Sequence, residues 1–276
     1  MKKMQIVDSI NWDIQEEGIQ TLNSEIHLEG WKSIRRNDDG GLLSIKPETY
    51  NPMTMVKFLD RVEGIRQICG FDLHGYQEVY GGKIILAYLK NNNVTSNIGG
   101  HKIEDYMVLG NSYNGKTPFM VGTSTVLLRC MNQWGSIHKL ASVRHTKNFD
   151  KRMIELYKYI DTYNIRKEEM YTAFNKFGEK IVSEKMREDM VRFVLGMKKT
   201  DKLDKVNGKV RNQYTELQRN ITRETKDLGM NLWGMFNGVT RYTTHEKTGK
   251  HETLGALFGS KSLINQKAYQ FALKSV

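Results

Sequence analysis

An α+β fold is what this sequence predicts: an antiparallel β-sheet built from hairpins with one packed helix in the N-terminal half, and a mostly helical C-terminal half. Three observations carry the prediction. Turn signals at Asp38-Asp39-Gly40-Gly41, Gly81-Gly82 and Asn114-Gly115 each separate stretches of strand length. Between the first two lies one set with helical spacing, Met55, Phe58, Leu59, Val62 and Ile65. From Phe149 onward the apolar residues step by three and four.

Taken in order, Glu25 to Ile45 reads as a hairpin closing at Asp38 to Gly41. Asn51-Pro52 reads as the N-cap and first residue of the packed helix, and Gly70 as its C-cap. The second hairpin turns at Gly81-Gly82, with Lys83 to Leu89 as a largely apolar strand. The third runs from Tyr106 through Asn114-Gly115 to Val121, followed by the β-branched stretch Thr123 to Cys130. Helical periods follow in Met153, Tyr157, Ile160, then Met170, Phe174, Phe177, Ile181, then Met186, Met190, Phe193 as far as Gly196. Lys198 to Lys209 is highly charged and nearly free of apolar residues, the best candidate for a mobile loop. A helix covers Val210 to Leu228, and a last one Lys261 to Leu273; from Asn231 onward aromatic and basic residues alternate. The expected division is 1–148 for the sheet and helix core and 149–276 for the helical region, together one folded unit.

Composition narrows the class. The chain of 276 residues can bury a sizeable core. Its two cysteines, Cys69 and Cys130, stand far apart in no paired motif, which suits a reducing cytosol. No apolar run reaches signal-peptide length or the ~18 residues of a membrane span, so a soluble, cytoplasmic protein is expected. The net charge of +11 is unevenly spread: −2 over residues 1–100, +7 over 101–200 and +6 over 201–276. A neutral first third joined to a basic remainder points to a polyanionic partner, although solubility alone would also use such charge.

Gly110 to Thr117 matches the phosphate-loop pattern G-x-x-x-x-G-K-[ST]. That loop needs a strand before it and a helix after it, so that backbone N–H groups cradle phosphate. Here Pro118 and a β-branched, glycine-bearing stretch follow, and Asn114-Gly115 suits a two-residue type I′ turn, so the segment reads as a hairpin tip. His245, Glu246 and His251 lack the spacing of a zinc helix. Cys130 and His145 have no third group, and no carboxylate cluster suggests a two-metal site. The sequence makes no case for catalysis, a cofactor or a metal.

Three segments together resemble the phage/plasmid-like domain of unknown function 932. They are Leu109-Gly-Asn111-Ser112-Tyr-Asn-Gly115 with Leu128-Arg129-Cys130-Met-Asn132; Val143-Arg144-His145-Thr146; and Asn231-Leu-Trp233-Gly-Met-Phe-Asn237-Gly-Val-Thr240 with Leu257-Phe-Gly-Ser260. The resemblance covers about residues 30–275. It departs from the family pattern at Tyr113-Asn114-Gly115-Lys116, where a histidine-aspartate-glycine-like turn without lysine is usual. In layout the family is more distantly similar to single-strand annealing proteins of the RecT, Red-beta and Erf kind. That similarity implies an ATP-independent, ring- or filament-forming protein of a phage or mobile element, acting on single-stranded DNA in the bacterial cytoplasm.

For such a role, lysine and arginine neutralise phosphates while aromatic rings stack on unpaired bases. The densest basic stretch holds His138, Lys139, Arg144, His145, Lys147, Lys151 and Arg152 beside Trp134. A second holds Trp233, Arg241, Tyr242, Lys247 and Lys250. Each tryptophan could equally be a core residue, and Arg144-His145-Thr146 could cap the helix near Phe149. Two rivals remain: an enzyme processing nucleic acid or nucleotides, and a protein-interaction factor such as an inhibitor of host defence.

Overall fold

The computed structural model describes residues 6–21, 26–92, 96–98, 101–127, 132–134, 141–144, 149–161, 163–246 and 260–276. Its elements make an α+β protein whose C-terminal half is mostly helical, as the sequence predicts. The chain forms two compact units. Met1–Asn92, Tyr106–Thr123 and His138–Tyr163 make the first; Asn93–Asp105, Ser124–Ile137 and Asn164–Val276 make the second. The boundary expected at residue 148 is therefore displaced, because the helix following it packs into the first core.

In the first unit, strands β1 (Ile14–Gln20), β2 (His27–Arg36) and β3 (Leu42–Pro47) form an antiparallel sheet in that order. The β2–β3 turn falls at the predicted Asp38 to Gly41, where Asp39 Oδ1 accepts from Gly41 N at 2.8 Å. Helix α1 (Met55–Cys69) begins three residues later than Asn51-Pro52 suggested. Thr54 is the N-cap, accepting from Lys57 N, and Asp13 Oδ1 takes the Met55 N–H at 2.6 Å. Two of the helix's orphan donors are thus satisfied, one of them by the residue just before β1, far back in the chain. Gly70 caps the other end, as expected.

Strands β4 (Asp72–Val79) and β5 (Ile84–Lys90) follow, turning at Gly81-Gly82, which both have positive φ. Next come β6 (Ser96–Ile98), β7 (His101–Ser112), β8 (Phe119–Leu127), β9 (Asn132–Trp134) and β10 (Ala141–Val143). The second sheet runs β10-β8-β7-β5-β4, with β6 paired to β7 and β9 to β8. Ile85, Ala87 and Leu89 of β5, Met107 and Leu109 of β7, and Phe119 and Val121 of β8 alternate into one core. Phe58, Val62 and Ile65 of α1 join it, with Met153, Leu156 and Ile160 of α2 (Phe149–Asp161). A fully buried side chain such as Phe58 contributes about 1.5–3 kcal/mol. Ile84, Leu86 and Tyr88 on the opposite face of β5 are buried too, which is why its sequence runs apolar without alternation.

The second unit holds α3 (Tyr163–Glu179), α4 (Glu184–Leu195), α5 (Gly208–Leu228), α6 (Leu232–Arg241) and α7 (Ser260–Leu273), with a π-helical turn at Tyr242–Glu246. Phe174 is its centre, 4.9 Å from Trp233, 5.8 Å from both Phe177 and Phe236, and 5.9 Å from Tyr269. Such ring pairs contribute about 0.5–1.5 kcal/mol each beyond their buried area. Two apolar residues of the predicted helical periods lie outside this core. Ile181 follows the end of α3 and is 80% exposed, and Phe193 is exposed while Met190, Val191 and Val194 turn inward. Helix α6 and strand β1 have no counterpart in the sequence reading. Among the described residues, no helix is long and apolar enough to cross a membrane.

Candidate nucleic-acid interface

Helix α5 sorts its charges by burial. Leu217, Asn220, Ile221, Glu224, Thr225 and Leu228 turn inward, and Lys209, Arg211, Arg219, Arg223 and Lys226 are exposed. Glu224, the acid inside, accepts from Arg241 Nη1 at 3.3 Å and is 1% exposed. The preceding connection is not a free tether. Arg192 Nη1 donates to the carbonyls of Lys198 and Asp201, at 3.2 and 3.0 Å, and Arg211 donates to those of Leu203 and Asp204. Asp201 Oδ2 accepts from Lys198 N. With its backbone held this way, the connection presents Lys198, Lys199, Lys202 and Lys205 outward. None of these four, nor Lys209, Arg223 or Lys226, makes an ion pair among the described residues. The exposed acids of this stretch are Asp204 and Asp227, so its outer surface is strongly positive.

A groove of about 610 Å³ runs between α4 and α5, lined by Lys185, Arg187, Arg219, Tyr214, Gln218, Thr222, Glu184 and Glu188. Arg187 is fixed there by Thr222 Oγ1 at 3.2 Å and by Glu184. Arg219 reaches Glu246 at 3.1 Å. Sequence reasoning treated Lys198 to Lys209 as a loop and so missed this surface. The available signal was the spacing of Arg211, Thr215, Arg219, Arg223 and Lys226, one stripe on a helix.

The residues expected to contact DNA are scattered by the fold. Arg144 lies exposed after β10, and Lys151 and Arg152 are exposed on α2, outside its buried Met153–Leu156–Ile160 face. Trp134 ends β9, paired with Thr125. Its side chain, and all of His138, Lys139, His145, Lys147, Lys247 and Lys250, lie outside the described residues, as does the proposed cap at Thr146 or Asn148.

The second expected cluster is corrected. Trp233 is 3% exposed, packed on Phe174 and Phe236, and Tyr242 is 1% exposed, so neither ring offers a face to a base. Arg241 neutralises Glu224 instead of a phosphate. The cause is the close approach of α6 to α5. A Cβ added to Gly238 would fall on the Cα of Ile221 and 2.7 Å from its N, and one added to Gly234 would lie 3.1 Å from the Cα of Thr225. Two glycines one turn apart let the backbones meet and draw the whole of α6 inside.

The family model described as Domain of unknown function (DUF932) matches residues 42–267. The chain belongs to this family. No curated protein and no solved structure matches it. The DUF932 span starts at β3 and ends within α7, so it takes in α4, α5 and α6, while β1 and β2 precede it.

The phosphate-loop lookalike of this DUF932 chain is the end of β7 and its connection to β8, and a strand follows it. The expected two-residue type I′ turn is corrected, since Asn114 lacks the positive φ that turn demands. Instead Asn114 Oδ1 accepts from Lys116 N at 3.0 Å and pairs with the Ser112 hydroxyl at 3.1 Å, in a longer loop between Ser112 and Phe119. Tyr113 is fully buried beneath it, which pushes its phenol well above the usual range. A backbone cradle at a helix N-terminus is not formed here.

Proposed function

We propose that this protein binds single-stranded DNA and promotes its annealing without ATP, in the recombination of a phage or mobile element within a bacterial cytoplasm. The observation that carries the reading is the outer surface of α5 and its preceding connection. Seven cations there, from Lys198 to Lys226, have no acidic partner among the described residues, while Glu224 is buried and Asp201 is engaged by the backbone. Such a surface follows a phosphate chain without reading its sequence. Arg144, Lys151 and Arg152 give the first unit a smaller basic surface of its own. Annealing requires a strand held extended over more length than one subunit of this size provides, so self-assembly belongs to the reading.

Fluorescence anisotropy with single- and double-stranded oligonucleotides across a salt series, without nucleotide, tests it. The Lys199→Ala, Lys202→Ala, Lys205→Ala triple variant should bind all sequences more weakly. It should also flatten the log affinity against log salt slope by roughly 0.7 per lost contact, about 2 in all. Lys116→Ala should leave binding and annealing unchanged, with or without ATP. A folded triple variant with the wild-type slope removes the connection before α5 from the interface, and a wild type that binds no DNA removes the function.

A further inference from the structure

The β1–β3 sheet turns one face to the core, and its outer face carries large apolar side chains among the polar ones. Register fixes which residues share it: Trp31 opposite Pro47, Ser33 opposite Ile45 and Glu17, and Arg35 opposite Leu42 and Gln15. Ile34, on the other face, is fully buried. Trp31, Leu42 and Ile45 are 48%, 45% and 50% exposed, a grouping of large apolar side chains that water does not favour on a single sheet.

We propose that this face is the contact by which two copies of the chain associate, sheet on sheet. The charges beside the apolar stripe select a second copy as occupant. Arg35 and Glu17 stand together on the same face, 3.1 Å apart, with Glu17 exposed and Arg35 partly so. A two-fold axis brings each residue of a patch to its complement on the other subunit only if the patch carries both signs. This patch does: Glu17 of one subunit can meet Arg35 of the other around a shared apolar centre. A partner of uniform charge would gain from one of the two and be repelled by the other. Size sets the strength. Ten residues of β2 at ~3.3 Å and three strands ~4.8 Å apart give a face on the order of 450 Å². Standard stable interfaces cover ~800 Å² per partner, so the dimer dissociates on dilution and is not obligate. The face lies mostly ahead of the family-matched span and does not rest on DNA binding, although it supplies the self-association that annealing needs.

Sedimentation velocity on the full chain over a wide concentration range tests the proposal, with melting curves confirming that each variant folds. The wild type should pass from monomer to dimer. Trp31→Glu and Ile45→Lys should each raise the dissociation constant by more than about tenfold, the loss expected for an interface anchor. Glu17→Arg and Arg35→Glu should each be monomeric alone, and an equimolar mixture of the two should form a heterodimer. A wild type that stays monomeric at its highest soluble concentration overturns the proposal. So does a mixture of charge-reversed chains that fails to associate. The same variants should bind single-stranded DNA with the wild-type salt slope, so failure of the dimer and failure of DNA binding are read separately.

Discussion

Gly238→Ala should destabilise the protein although it places the best helix former at the seventh position of a ten-residue helix. Propensity alone favours the change by about 1 kcal/mol. Against it stands the contact between α6 and α5, where the new methyl would meet the backbone of Ile221, with its N at 2.7 Å and its Cγ1 at 2.8 Å. Backbone in the middle of a buried helix cannot turn aside as a flexible side chain can, so α6 must shift against a packed core. Overpacking of this kind costs about 1–3 kcal/mol, and here the upper end applies. The net is about 2 kcal/mol of lost stability, or about 4–8 °C in Tm for a chain of this size. Gly64→Ala in α1 is the matched control. Its added methyl finds only the Tyr157 hydroxyl at 3.6 Å, an ordinary contact, so the propensity gain should survive and raise Tm by a few degrees. Thermal melts followed by circular dichroism compare the two directly. If Gly238→Ala melts at or above the wild type, close packing of α6 on α5 is wrong, and with it the reason for the burial of Trp233.

Trp233→Ala should cost about 3–5 kcal/mol and lower Tm strongly, since the ring is packed in the second core; lost DNA affinity in a variant of unchanged stability would return the ring to the binding surface. Alkaline stability should fall as pH rises above about 10. Burial pushes the Tyr50 phenol up to about 12 and raises those of Tyr88 and Tyr113 further, so the folded chain holds them neutral while the unfolded chain ionises them. Their contribution is complete below the ordinary tyrosine value and is lost toward the folded one. Urea titrations from neutral pH into the alkaline range check the sign, and a stability that stays level above pH 10 contradicts it.

The hairpins were legible because turn chemistry is local: Asp39 and Gly41 bond each other, and Gly81-Gly82 adopt positive φ within the turn itself. The start of α1 was not, because one of its capping groups is Asp13, far back in the sequence. Strand β1 was missed because Gln15, Glu16 and Glu17 are all exposed, leaving no alternation to read. Helix α6 failed in the opposite way. Every residue from Leu232 to Thr240 is buried, so no polar face marks a helical period. Its legible sign was the Gly234 and Gly238 pair, which means close helix packing only when a partner is known. Ile181 continued a helical spacing beyond Glu179, where the chain leaves the helix and pairs with Asn231.

Density of basic and aromatic residues in sequence was a poor guide to the interface for a related reason. The run Trp233 to Tyr242 looks like a stacking platform flanked by charge, but its one arginine is matched to a buried glutamate and adds nothing to the outer field. Lys198 to Lys226 is richer in acids and reads as a mixed, solvated stretch. Folding separates those charges. Arg241 engages Glu224, and a backbone N–H engages Asp201; next to them on α4, Arg192 holds Glu188 and Arg187 holds Glu184. The lysines are left facing solvent with little to oppose them. The potential outside α5 is thus set as much by where the acids are held as by the number of bases, and no count along the chain contains that term.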